Sequence, residues 1–229
     1  MSPAEIDALM LSLRVAFWST LWSLPLAMFV AWVLARRQFI GKTLVDALVH
    51  MPLVMPPVVM GFLLLMFLGR KGWIGAPLYD WFGVTIAFTW KGAAVASAVM
   101  AFPLMVRAIR LSLESMDQGL ETAAQTLGAG PVRVFTSITL PLIFPGILTG
   151  LVLAFARSLG EFGATITFVS NIPGETRTLP LAIFSLLQTP GGDAAAIRLV
   201  AMSAAVAFLA LVLSEWTAQR ITKRLKGSA

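Results

Sequence analysis

Three places in the chain combine residue types at spacings that chemistry can use. Gly41-Lys42-Thr43 ends like a phosphate-cradling loop, in which backbone amides hold phosphate and the lysine reaches its terminal groups. That loop needs a glycine five residues before Gly41, and Arg36 stands there, so this chain carries no nucleotide site of that kind. Glu161 lies between Gly160 and Gly163, with the hydroxyls of Ser158, Thr165, Thr167 and Ser170 close by in sequence. The glycines permit a sharp turn or a close helix approach, while the hydroxyls serve either as ligands or as local caps and turn formers. The third place, Asp117 to Pro141, reads as a helix, a turn and a second helix. His50 is the only histidine, Tyr79 the only tyrosine, and cysteine is absent. Thiolate metal sites, iron–sulfur clusters and cysteine nucleophiles are therefore excluded, and a histidine-based triad would have to be built around His50 at the cytoplasmic end of a span, which nothing in the sequence supports. We assign no catalytic residue and no metal site.

The elements that must position these groups belong to a membrane. The chain has 229 residues, 58% of them hydrophobic and only 12% charged, with a mean hydropathy of +0.86; a soluble globule does not have this composition. A helix needs about 20 apolar residues to cross the hydrocarbon layer. Val15 to Ala35, Ala47 to Gly69 and Val134 to Ala156 meet that length, the second holding only His50 as an ionisable group. Gly92 to Val106 and Leu199 to Ser214 are shorter and cross if Lys91, Arg107, Arg198 and Glu215 snorkel to the interfaces. The expected fold is thus an all-α integral membrane protein, one transmembrane domain over 1–229, with spans at about 12–35, 46–69, 88–110, 134–157 and 195–217. Residues 162–192, interrupted by Pro173, Glu175, Arg177, Pro180 and Pro190, read as re-entrant or interfacial pieces.

The net charge of +6 lies in short clusters beside apolar runs, which fits a positive-inside membrane protein rather than one that binds nucleic acid. Arg36, Arg37 and Lys42 follow the first span, and Arg220, Lys223, Arg224 and Lys226 fill the tail. Placing both groups in the cytoplasm puts the N-terminus outside, the C-terminus and residues 107–133 inside, and residues 158–198 outside. Glu5 and Asp7 replace the basic start of a cleavable signal, so the first span is expected to stay as an anchor. Trp73, Trp81 and Trp90 outside, with Trp32 and Trp216 inside, form an aromatic belt. The centres of the spans hold no ionisable group, which disfavours a proton relay or voltage sensor. Pro52, Pro56, Pro57, Pro103, Pro141 and Pro145, with Gly146 and Gly150, serve helix kinking and packing or line a pathway.

In the predicted cytoplasmic segment 114–134, Asp117 can cap a helix whose Leu120, Ala123, Ala124 and Leu127 share one face, and Gly128 provides a left-handed stop. Gly130-Pro131 then opens a second helix. A knob of this shape suits a groove on a partner.

These residues resemble the cytoplasmic signature of ABC importer permeases, E-A-A-x3-G-x9-I-x-L-P. Here Thr122-Ala123-Ala124, three residues including Leu127, Gly128, nine residues and Ile138-Thr139-Leu140-Pro141 follow its spacing. Thr122 occupies the place of the signature acid, and Glu121 lies one residue earlier. The resemblance implies a coupling helix between spans 3 and 4 that docks into a cytoplasmic ATPase and converts its closure on ATP into movement of the membrane path. Residues 50–65, 102–114 and especially 156–192, with Gly160-Glu161-Phe162-Gly163, look like molybdate permeases of that family. Sulfate permeases share a related passage.

The resemblance implies a bacterial inner-membrane transport subunit that is not itself an enzyme. It binds no cofactor, ATP and magnesium being held by two partner ATPase subunits, and an extracytoplasmic oxyanion-binding protein delivers the cargo. A dianion pays a prohibitive desolvation cost in hydrocarbon, so its route needs hydroxyls, backbone donors or helix N-termini in a protein-lined cavity. Ser158, Thr165 and Thr167 offer hydroxyls, Gly160, Phe162 and Gly163 a gate near the outer face, and Glu161 either bonds backbone amides or pairs with Arg157 or Arg198. Five lipid-embedded spans do not readily enclose such a path, so a homodimer is expected. Tungstate or sulfate is the alternative cargo, and a stand-alone carrier or channel the alternative class.

Overall fold

The computed structural model describes the backbone of residues 2–226 and, within it, the side chains other than those at 211 and 213–226. The side chains of Glu215, Trp216, Arg220, Lys223, Arg224 and Lys226, used above for orientation, lie outside the described residues. The chain is helical: α1 (Pro3–Arg36), α2 (Lys42–Val54), α3 (Pro57–Leu68), α4 (Gly75–Phe82), α5 (Trp90–Glu114), α6 (Gln118–Thr126), α7 (Pro131–Val134), α8 (Leu140–Leu159), α9 (Gly163–Val169), α10 (Leu179–Leu187) and α11 (Asp193–Lys226). A π-helical turn, Phe135–Thr139, joins α7 to α8.

The helix starts follow local chemistry. Ser2 caps α1 by accepting from Glu5 N, and the Glu5 carboxylate accepts in return from Ser2 N, with Pro3 at the first helical position. Thr89 Oγ1 accepts from Gly92 N at the start of α5. In α1 the polar groups of Thr20 and Ser23 donate to Ala16 O and Ser19 O, which keeps their hydroxyls satisfied inside an apolar helix.

Among the described residues, four helical segments are long and apolar enough to cross a membrane: Pro3–Arg36, Trp90–Glu114, Pro131–Leu159 and Asp193–Ala210. The predicted second span differs. It is split into α2 and α3, bent by 115° at Met55 and Pro56. Both residues are extended, with ψ of 143° and 131°. The consecutive prolines explain the bend: each disfavours helical backbone in the residue before it, and neither has an amide to continue the ladder. Counting the bent pair as one crossing gives up to five spans. Within 162–192 the chain forms α9, α10 and a loop, neither helix exceeding nine residues, so neither crosses alone.

α5 is the axle of the bundle, with 61% of its apolar stretch buried against 11% for Asp193–Ala210 of α11. Met105, Ile109 and Leu113 of α5 pack with Ala27, Ala31 and Leu34 of α1 and with Ile143 and Ile147 of α8. A second cluster joins Met60 of α3, Ala96 and Met100 of α5, and Ala164 and Phe168 of α9. A third joins Ala8, Leu179, Ala182 and Leu199 of α1, α10 and α11. Gly146 and Gly150 do the packing work read from their spacing: a Cβ on Gly146 would strike Ser112, and one on Gly150 would lie 3.2 Å from Met105 O. Lipid tails give no hydrophobic drive between helices, so close backbone approach at small residues is what holds them.

Charges gather at the two ends. Arg36–Glu121, Asp46–Arg110 and Arg110–Glu114 pair at one end; Glu5–Arg198 pairs at the other, where Arg14 also stacks 3.8 Å from the Trp90 ring centroid. Trp73 and Trp81 are exposed, and Arg37 lies over Trp32 at 5.2 Å.

Candidate functional sites

The knob at one end of the bundle begins with Asp117, whose carboxylate accepts from Gly119 N at 2.8 Å. α6 buries no residue. It ends as the sequence predicts: Gly128 has φ +86°, donates to Gln125 O at 3.0 Å, and Ala129 N reaches back to Ala124 O at 3.0 Å. This left-handed stop suits glycine because a side chain there meets steric strain even with open space around it. Gly130 precedes Pro131, which opens α7. Leu120 and Leu127 stand 47% and 89% exposed, an apolar face that the described residues leave uncovered.

Glu121 fastens this knob to the membrane helices. One carboxylate oxygen pairs with Arg36 at the end of α1, 3.2 Å away; the other accepts from Thr139 Oγ1 at 2.5 Å. Thr122, at the signature acid's position, is exposed and donates to Gln118 O. The displaced acid therefore does make an ion pair. Sequence reading missed Arg36 and Thr139 as its partners; Arg36 comes from a remote part of the chain, while Thr139 sat in view inside the Ile-x-Leu-Pro passage. Ile138, Leu140 and Pro141 are half-buried, Leu140 against the main cluster. Ala123 is exposed and Ala124 half-buried. A cavity of about 520 Å³ separates the knob from α1, lined among others by Trp32, Arg36, Glu121, Gln125 and Thr139.

The second site lies where α8 gives way to α9. Ser158 is buried, and its hydroxyl accepts from Ser19 Oγ of α1 at 2.9 Å. Glu161 is 2% exposed. Of the two arginines weighed from sequence it pairs with Arg157, Nη1 to Oε2 2.6 Å; Arg198 is engaged by Glu5 instead. The other carboxylate oxygen accepts from Ala164 N at 2.8 Å, in the first turn of α9, so the backbone-amide reading holds as well. Thr165 donates to Phe162 O at 2.8 Å and Thr167 to Gly163 O at 2.9 Å. These hydroxyl protons are thus used locally, leaving oxygen lone pairs as their remaining polar capacity. Gly160 is exposed, and the Phe162 ring sits 5.0 Å from that of Phe184. Gly163 and Gly61 seat α3 on α9: a Cβ on Gly163 would lie 2.7 Å from Pro57 Cβ, and one on Gly61 2.5 Å from Ala164 O. Ser170 ends α9 at φ +65° and ψ −161°, a conformation ordinarily reserved for glycine that costs about 1–3 kcal/mol. Thr176 Oγ1 donates to Ser170 O and accepts from Ile172 N, which helps fix the turn.

His50 is accounted for within α2, its Nδ1 2.9 Å from Asp46 O and 3.2 Å from Asp46 Oδ1.

Residues 23–223 match the family described as binding-protein-dependent transport system inner membrane component. A molybdenum transport system permease protein, ModB, of Haemophilus influenzae is 61% identical over 221 residues, 96% of each chain. A probable sulfate transport system permease protein, cysT, of Chlorokybus atmophyticus is 38% identical over 186 residues, covering 81% of this chain and 65% of that one. Among solved structures, a bacterial ABC transporter involved in import of the acidic polysaccharide alginate superposes with a TM-score of 0.77 at 23% identity, over 97% of this chain and 82% of that chain.

Proposed function

The chain belongs to the family of binding-protein-dependent transport system inner membrane components, and we propose that within it this is the membrane-spanning subunit of an ATP-driven molybdate importer. The cargo reading is supported by 61% identity over nearly the whole chain to molybdenum permeases, against 38% to a sulfate permease over a shorter stretch. The observation that carries the mechanism is the knob: an apolar face at Leu120 and Leu127 that the described residues leave exposed, held by Glu121 to α1 and to the turn that leads into α8.

Two cytoplasmic ATPase subunits dock on the knobs of two copies of this chain, related by a two-fold axis, and an extracytoplasmic binding protein hands over the anion. Force applied to α6 passes through Glu121 to Arg36 and Thr139, hence into α1 and α8, two of the three helices around the main core. ATP-driven closure favours the outward-facing arrangement by its differential affinity for the two states. The knob end is cytoplasmic in this reading, and the Glu5–Arg198 end faces outward.

The test is uptake by the complex reconstituted with its ATPase and binding protein, using molybdate in competition with tungstate and sulfate. ATP-dependent molybdate accumulation is expected, with this chain inert by itself. Anion flux down a gradient through this chain alone would overturn the reading in favour of a channel or ion-coupled carrier.

A further inference from the structure

Both interruptions of the apolar helices meet at one place. The α2–α3 bend at Met55 and Pro56 faces the α8–α9 break at Gly160 to Phe162: a Cβ on Gly163 would lie 2.7 Å from Pro57 Cβ and 3.3 Å from Val58 N. Ser158 bonds Ser19, which lies about 10 Å along α1 from residue 12, where the sequence places the start of the first span; on that expectation the junction lies inside the outer boundary of the membrane. Helices broken inside a membrane are where transported ions find polar partners, and an ionisable residue at such depth is retained for a reason other than stability.

The pair Arg157–Glu161 stands at this junction. Its two members are held unequally. The Glu161 side chain is 1% exposed: Oε1 accepts from Ala164 N at 2.8 Å, while Oε2 lies 2.6 Å from Arg157 Nη1 as an ion pair without hydrogen-bond geometry. The Arg157 side chain is 28% exposed, and a guanidinium carries five donors in a planar fork, of which a contact to one carboxylate oxygen occupies only part. The carboxylate is locked into the protein, and the cation keeps an open flank.

We infer that Arg157 receives the oxyanion inside the membrane and that Glu161 is its resident counter-charge, sharing or yielding the guanidinium when the anion arrives and reclaiming it when the anion leaves. The assignment rests on the importer reading above. A guanidinium without a counter-charge at this depth would be costly to bury and would hold a dianion too firmly; passage requires binding strong enough for entry and weak enough for exit. Glu161 meets that requirement because its bond to Ala164 N keeps it within reach while the anion is present. In a two-fold assembly, two guanidiniums, each beside its own carboxylate, would face one dianion, so the loaded site keeps a net negative charge that favours release.

The test uses the full complex in proteoliposomes. Arg157→Gln should lower molybdate uptake about tenfold or more while the ATPase still co-purifies. Arg157→Lys, which keeps the charge and loses the fork, should raise the half-saturating molybdate concentration more than it lowers the maximal rate. Glu161→Gln removes the competitor, so labelled molybdate should stay on the washed complex longer than on wild type. An assembled Arg157→Gln complex with wild-type uptake, or Glu161→Gln with unchanged retention, overturns the assignment. If Arg157 variants do not assemble, tungstate trapped in the wild-type complex decides: an anion whose oxygen lies within hydrogen-bonding distance of Arg157 supports the proposal, and one seated elsewhere on the path defeats it. Wild-type complex that accumulates no molybdate removes the importer premise, and the assignment with it.

Discussion

Each of the two sites holds one arginine–glutamate pair, with the burial reversed. At the knob the arginine is the more enclosed partner, Arg36 at 11% against Glu121 at 22%; at the helix junction the glutamate is, Glu161 at 1% against Arg157 at 28%. The first pair joins remote segments and also recruits Thr139, so it acts as a brace between a projecting element and the bundle. The second spans one helical turn across the end of α8, so it braces nothing distant and instead presents a cation. An ion pair alone is weak evidence of stabilisation, because desolvation offsets much of the Coulomb attraction. What surrounds each pair decides its use.

That contrast can be broken most severely at the junction's packing. Gly61→Val would place a branched side chain against Ala164 O, Ala164 Cα and Thr167 Cβ, none of which can step aside cheaply, and should cost about 3 kcal/mol. Thermal unfolding of the detergent-purified chain should show a clear drop. At the knob, Arg36→Gln strands the Glu121 charge in a partly shielded place and should cost about 1–2 kcal/mol. Its sharper signature is functional: ATP hydrolysis by the assembled complex should continue while molybdate uptake falls, and wild-type coupling would show that Glu121 transmits nothing. Gly128→Val meets no neighbouring atom within 4 Å, so its cost is backbone alone, about 1–2 kcal/mol for a left-handed φ. It should misdirect the end of α6 and weaken ATPase co-purification with little change in unfolding of the rest. Ser158→Ala removes one buried hydroxyl bond and should cost about 1 kcal/mol, measurable as a small shift in the same unfolding transition.

The sequence made the long helices legible through charge-free runs, and α1, α5, α8 and α11 stand where those runs are. The second run looked like one crossing because hydropathy sums over residues and ignores direction; Pro56-Pro57 carried the bend, visible as a kink signal but not as an angle. The end of α6 was legible because Gly128 and Pro131 act locally. Glu121 was harder. Position counting against a motif put the acid one residue out of place, whereas the structure needs only a carboxylate that reaches Arg36, and that reach depends on how α1 lies against α6. Glu161 shows the same limit from the other side: Arg157 is one turn away and could be named, but choosing it over Arg198 required knowing that Glu5, at the far end of the chain, takes Arg198.

The π-helical turn between α7 and α8 has a geometric consequence. Such a turn carries a surplus residue within an otherwise ordinary spiral, and each residue of an α-helix advances the azimuth by about 100°. Were the surplus absorbed into regular pitch, everything upstream of Phe135 would swivel by about that angle around the α8 axis, turning Leu127 away from its present heading. The compass bearing of α6 is therefore indexed by a single-residue phase slip, and Thr139, the last residue of that slip, is the one whose hydroxyl Glu121 holds.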